Sequence, residues 1–243
     1  MSHYLVGVII EDINNIKDEV AKVLAPYDEN IDVEPYVRLT KQDIIDDINK
    51  RIAANNDYYV DKYGHLTDEE KYQEYYNSYK DDYEFDENGS ELSTYNPNSK
   101  WDWWSIGGRF SEKEATKIKD FQLYDELSNT EKRLYTKAWK SFNGKCELTD
   151  KENEKIFGGF RLWNDQYYLD RYGTLENYLK QIASNIPYAF VDKNGWYEQG
   201  EMGWWGCDNA TQESIDSYMN FAEKYFTDVA NQDKYLVWVD CHI

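Results

Sequence analysis

The last ten residues, K-Y-L-V-W-V-D-C-H-I over 234–243, constrain this chain more than any other stretch. They form an apolar β-type run that matches the opening run 4–10, Y-L-V-G-V-I-I. The opening run lacks polar alternation, as expected of a strand buried on both faces. If the two pair antiparallel, the start of the first strand lies beside the end of the last. His3 then comes within reach of Asp240, Cys241 and His242, although nearly the whole sequence separates them. Everything between is insertion into this frame.

After the first strand, Ile13, Ile16, Val20, Val23 and Leu24 recur at helical spacing until Pro26 ends the pattern. Residues 28–36 read as extended, with Pro35 excluding a central strand there. Thr40 with Asp43, and Thr67 with Glu70, carry the capping signal that opens a helix. The first such helix has Ile44, Ile45, Ile48 and Ile52 on one side. The second has Tyr72, Tyr75, Tyr76 and Tyr79, a stripe expected at a moderately wet interface within the protein. Asn88-Gly89 predicts a type I′ hairpin over 83–95, and Lys193-Asn194-Gly195 a second hairpin. Residues 112–142 read as mostly helical, broken near Ser128-Asn129. Thr174 opens another helix with Leu175, Tyr178, Leu179 and Ile182 inward, and 212–229 forms the last.

The order is β-α-(β-hairpin)-α-β. It predicts an α+β fold with a ferredoxin-like antiparallel sheet in which first and last strands are adjacent. The expected organisation is one domain over 1–243, with a large, mostly helical insertion over 40–172 that contains a hairpin near 83–95. A hydrophobic content of 41%, with 17% aromatic, suffices for a core at this length. No run approaches the ~20 apolar residues of a membrane span. The opening residues carry neither a basic n-region nor a cleavage site, so the expected location is the cytoplasm. Cys146, Cys207 and Cys241 are far apart and lack C-x-x-C spacing, which predicts reduced thiols rather than a disulfide framework.

Charge is the dominant global property: 47 acidic residues against 27 basic give −20, with acidic runs over 43–47, 68–70 and 81–87. Such a field disfavours direct nucleic-acid binding and anionic membranes, and it attracts basic surfaces. Acidity also serves solubility alone, which is the plainer reading.

Three constellations carry chemistry. His3, Asp240, Cys241 and His242, with Glu201, offer imidazoles, a thiol and carboxylates suited to a divalent metal, or to acid–base catalysis by His3, Glu201 and His242. In the plainer reading His3 and His242 cap strand ends and Cys241 fills core. The second constellation is Trp101, Asp102, Trp103 and Trp104 with Gly107, Gly108 and Arg109. Glycines let a backbone approach a ligand, Arg109 can grip a phosphate or carboxylate, and tryptophans can stack on a base. In the plainer reading they are core and an ordinary turn; the Lys-Ser/Thr ending of a phosphate loop is absent. The third is 198–205, where Glu198 and Glu201 adjoin Trp204 and Trp205, either an acidic pair or an aromatic interface.

The blocks M-S-H-Y, L-A-P-Y-D-E-N, N-P-N-S-K-W-D-W-W-S-I-G-G-R-F, G-E-M-G-W-W-G and V-D-C-H-I together resemble a family of proteins encoded by tailed bacteriophages. The resemblance covers both ends and two internal blocks, while 112–172 carries little of it. Trp104 and Phe110 depart from the family's tyrosine and tryptophan, and Asp28-Glu29-Asn30 from its His-Glu-Phe. The family supplies no activity to carry over; the resemblance implies a phage origin and, with it, action against host defence. Joined to the charge, this gives the leading expectation: an inhibitor in the host cytoplasm that binds a defence protein, such as a CRISPR effector, over a basic surface that normally holds nucleic acid. The alternatives are an enzyme or nucleotide-capturing protein built on His3, Asp240, Cys241, His242 and the 101–109 block, and a structural or housekeeping phage protein.

Overall fold

A computed structural model describes residues 2–110, 115–203 and 206–243. The chain forms two compact units, Met1–Asp28 with Lys100–Ile243, and Glu29–Ser99. The architecture is α+β with a mostly antiparallel main sheet.

The first unit is built on β1 (His3–Ile10) and β8 (Tyr235–His242), which pair antiparallel along their whole length with His3 opposite His242. Both strands bury both faces. Tyr4, Val6, Val8 and Ile10 join Val237, Val239 and Cys241 in one core beneath Val20 and Leu24 of α1 (Ile16–Leu24). Ile9, Leu236 and Trp238 join Phe190 in the other, beneath Ile215, Met219, Ala222 and Phe226 of α9 (Gln212–Thr227). A strand sandwiched between helices has no solvent face, which is why its sequence does not alternate.

The sheet runs β4 (Trp103–Ile106), β8, β1, β6 (Ala189–Asp192), β7 (Gly195–Glu198), with β5 (Thr116–Lys117) also on β8. Its strand order differs from a ferredoxin-like sheet. There the crossover is split, with the second hairpin strand between the two it joins; here the first hairpin strand, β6, pairs directly and parallel with β1. Asp192 makes the β6–β7 turn, accepting from the Asn194 and Gly195 N–H groups.

Residues 112–142 depart from the helical expectation. Residues 112–114 lie outside the described residues, Thr116–Lys117 is strand, and only α5 (Asn129–Phe142) is an α-helix. Ser128 with Glu131 closes a capping box, so the expected break is that helix's start. With α6 (Asp150–Phe157), α7 (Asp165–Tyr172) and α8 (Leu175–Ala183), α5 encloses Ala138, Phe142 and Tyr178. No helix among the described residues is long and apolar enough to cross a membrane.

In the second unit α2 (Lys41–Ala53), α3 (Asp57–Tyr63) and α4 (Asp68–Tyr79) close on Ile44, Ile45, Ile48, Tyr63 and Tyr72. Both expected capping boxes are present. The strands β2 (Tyr36–Leu39) and β3 (Glu91–Ser93) form a small sheet. The reversal into β3 uses the Asp86 carboxylate, which accepts from the Asn88 and Ser90 N–H groups. Gly89 alone has positive φ there, whereas a type I′ turn needs two such residues.

Glu91 is fully buried and its carboxylate is met by Arg38 and, at 2.7 Å, by the Tyr75 hydroxyl. The tyrosine stripe is therefore part of this unit's interior. Arg38→Met strands the carboxylate and is expected to destabilise the protein by on the order of 3 kcal/mol in urea unfolding, whereas Arg38→Met with Glu91→Leu should recover much of the loss. Equal stability of Arg38→Met and the parent would show that Glu91 does not depend on the pair.

Candidate functional site

The site grows from the strand register. His3 and Trp103 both stand opposite His242, one on each side of β8. Directly paired residues point to the same face, so the three rings gather at one end of the sheet. The His3 and His242 ring centres lie 4.9 Å apart, edge to face, and Trp103 stacks on His242 at 5.1 Å and 17°.

Each imidazole is held by its own carboxylate. His3 Nδ1 lies 2.9 Å from Asp240 Oδ1, and His242 Nδ1 lies 2.6 Å from Asp102 Oδ1. Asp240 is on the same face because it is two residues from His242, and its second oxygen accepts the Arg109 main-chain N–H at 3.0 Å. Asp102 is fixed in turn by its own N–H, which donates to the His242 carbonyl at 3.0 Å.

Neither Nε2 is hydrogen-bonded to a described residue. Among those residues the one buried side-chain polar atom without a partner is Gln212 Oε1, so neither Nε2 is a stranded buried group. The side chains grade outward from Asp240 at 2% exposed through His242 at 5% and His3 at 14%. Trp103, at 44%, forms the rim.

The Gly-Gly turn approaches a protein carboxylate rather than a ligand. A Cβ on Gly108 would stand 2.4 Å from Asp240 Cβ and 2.7 Å from Ser105 Oγ, and Gly108 has φ +45°. The two stretches that the sequence presented as separate constellations are one site.

The other named residues divide clearly. Cys241 points to the opposite face, buried with Tyr4 and Val239, and burial pushes its thiol well above the usual range. It does not join His3, Asp240 and His242. Among the described residues no group of three or more His, Cys, Asp or Glu is arranged to hold a metal ion. With Asp240 already accepting from His3 and Arg109, two Nε2 atoms remain, fewer than the three or four protein ligands of a zinc site.

Trp101 is core, its Nε1 donating to the Leu24 carbonyl. Glu201 is exposed and meets Asn209 through its main chain, outside the cluster. Arg109 is exposed and makes no ion pair among the described residues. Trp204 and Trp205 lie outside the described residues. Their neighbours Gly203 and Gly206 are tied to the Ser2 hydroxyl at 2.8 and 2.7 Å, beside His3. Ser2 was not singled out in the sequence; its position before His3 was the available signal. A cleft of about 350 Å³ at the other end of β1, lined by Glu11, Lys22 and Lys193 among others, contains none of these acid–base groups.

No family model, curated protein or solved structure matches the chain.

Two measurements test this geometry. Gly108→Ala is expected to cost on the order of 2 kcal/mol in urea unfolding. Gly158→Ala, also at positive φ but with open space around it, should cost only about 1 kcal/mol; equal costs would mean that contact with Asp240 is immaterial. In the native protein a thiol reagent should modify exposed Cys207 first, Cys146 more slowly and Cys241 only on unfolding. Early modification of Cys241 would contradict its placement.

Proposed function

We propose that the protein is an enzyme in which His3 and His242 act as an acid–base pair on a phosphoester that carries a planar ring. The observation that carries this reading is the pair of adjacent imidazole rings, each held at Nδ1 by a carboxylate, with neither Nε2 hydrogen-bonded to a described residue. A carboxylate accepting from Nδ1–H fixes the tautomer whose Nε2 lone pair faces the ligand, and it stabilises the imidazolium once that nitrogen takes a proton.

One imidazole, neutral, takes the proton of the attacking hydroxyl or water. The other, protonated, gives its proton to the departing oxygen as the bond to phosphorus breaks. The two end with exchanged protonation states and are reset by solvent or by the reverse exchange in a second step. Trp103 provides the exposed face on which a base stacks, and Arg109 supplies a cation for non-bridging phosphate oxygens.

A panel of nucleoside phosphodiesters and nitrophenyl phosphoesters tests the reading. His3→Gln and His242→Gln are each expected to lower kcat by about 10²- to 10⁴-fold with the fold intact by circular dichroism. Trp103→Ala should act chiefly on KM, and the wild-type rate should rise and fall with pH. A panel without turnover, or a double histidine variant as active as the wild type, would overturn it.

A second reading has its own observation. Residues 29–99 hold eighteen acidic against seven basic residues, more than half of the chain's net charge in under a third of its length. This supports a phage-encoded inhibitor in the host cytoplasm whose acidic unit covers a basic, nucleic-acid-binding surface of a defence protein. Its signature is stoichiometric binding weakened by salt and retained in the double histidine variant. Loss of the biological effect in that variant would return the function to the catalytic site.

A further inference from the structure

The stretch 132–155 reverses the charge of the chain around it, with seven basic and four acidic residues in a molecule of −20. In the structure four of these cations lie on α5, with Lys145 just beyond its end. An open groove of about 580 Å³ is lined by Asn129, Lys132, Arg133, Thr136, Lys137, Lys140, Lys145 and Cys146, with no acidic side chain among them. Lys137 is paired with Glu152, whereas Lys132, Arg133, Lys140 and Lys145 are exposed and make no ion pair among the described residues. From Lys132 to Lys140 the helix rises roughly 12 Å, enough for successive phosphates of one strand.

A second feature adjoins this groove. Gly158 and Gly159, at φ +64° and +89°, end α6 and turn the chain into a loop whose Phe160, Leu162 and Trp163 are 71%, 74% and 37% exposed. Arg161 anchors the loop to α5, its guanidinium reaching Ser141 Oγ at 3.3 Å and covering the Phe142 ring. A further groove beside the loop is lined by Arg161, Lys145 and Cys146 together with Glu147 and Asp165, the last of which pairs with Arg161, so the loop that carries the aromatic rings adjoins the basic face through Lys145 and Cys146.

A cationic track beside exposed aromatic rings is the combination that holds single-stranded nucleic acid, with phosphates on the cations and bases stacked on the rings. We propose that the α5 face with the 158–163 loop binds single-stranded nucleic acid: Lys132, Arg133, Lys140 and Lys145 hold phosphates, and Phe160 and Trp163 stack bases. The negative field of the rest of the chain is screened beyond about one Debye length, ~8 Å at physiological salt, so a local basic face acts on its own neighbourhood. Duplex lacks the free base faces that the aromatic loop needs and should bind more weakly.

The test is fluorescence anisotropy of the full-length protein with labelled oligo(U), oligo(dT) and duplex of about ten nucleotides at low and moderate salt. The expected result is single-strand binding that weakens as salt rises. It should fall about tenfold or more in Lys132→Glu/Arg133→Glu and in Lys140→Glu/Lys145→Glu, and about fivefold in Phe160→Ala/Trp163→Ala at unchanged charge. Lys→Gln versions should show the same ranking if a charge reversal perturbs folding, and Lys17→Glu with Lys22→Glu, both on α1 and outside the lining of either groove, should bind as the wild type. Absence of binding at low salt, equal binding of duplex, or aromatic variants indistinguishable from the parent would overturn the proposal.

Discussion

The antiparallel register of the first and last strands is the constraint on which the fold and the candidate site both depend. A slip of one residue would move every side chain of a strand to the other face, taking His3 away from His242 and Asp240. Because both faces of β1 and β8 are apolar, alternation alone does not choose the register. Features at the two ends do. Ser2 and Ile243 exchange main-chain hydrogen bonds just beyond the strands. Gly7 sits where a Cβ would come within 2.6 Å of Leu236 and 2.9 Å of Pro187, so a larger residue slipped into its place would collide with both neighbours. The same pairing that satisfies the backbone at the chain ends thus assembles the imidazole pair.

A carboxylate as buried as Asp240 costs several kcal/mol in lost hydration. Two hydrogen bonds to the charged oxygens, from His3 and from the Arg109 N–H, return about 1.5–3 kcal/mol each, which makes the arrangement roughly neutral rather than stabilising. Removing either donor shifts that balance against the fold. The Gly107-Gly108-Arg109 turn is therefore a structural requirement of the buried carboxylate, and it leaves the Arg109 side chain outside.

What the sequence made legible follows from how local each signal is. The terminal strands announce themselves by length and apolarity, and the helices that begin at Thr40, Thr67 and Thr174 by their caps, which involve residues three apart. The pairing of β4 and β5 with β8 depends on partners more than a hundred residues away, and Thr116–Lys117 has too few residues to show any period. The hairpin order, with β6 rather than β7 beside β1, is likewise a long-range choice that Lys193-Asn194-Gly195 does not encode. The side of Cys241 was readable, since a strand places residues 240 and 242 on one face and 241 on the other. Grouping the four terminal residues as one donor set passed over that parity. Trp101 and Trp103 obey the same rule: two positions and one strand boundary apart, one supports the floor of the sheet and the other stands at the rim of the site.

Net charge is an average over regions whose local charge differs in sign. At physiological ionic strength a charge is felt over about 8 Å, far less than the span of a chain this long. The acidic excess is concentrated in 29–99, while 132–155 is locally basic. A single figure of −20 predicts repulsion from nucleic acid everywhere, but the surface that a ligand meets is decided by which side chains share a groove. On α5 those are cations at 132, 133, 137 and 140, joined by Lys145 just beyond its end. Helical spacing puts most of them on one side; the acids at 150 and 154 fall outside that lining, and Glu147 lines only the adjoining groove. Charge composition constrains solubility and long-range steering; the arrangement of charge along each helix constrains the partner.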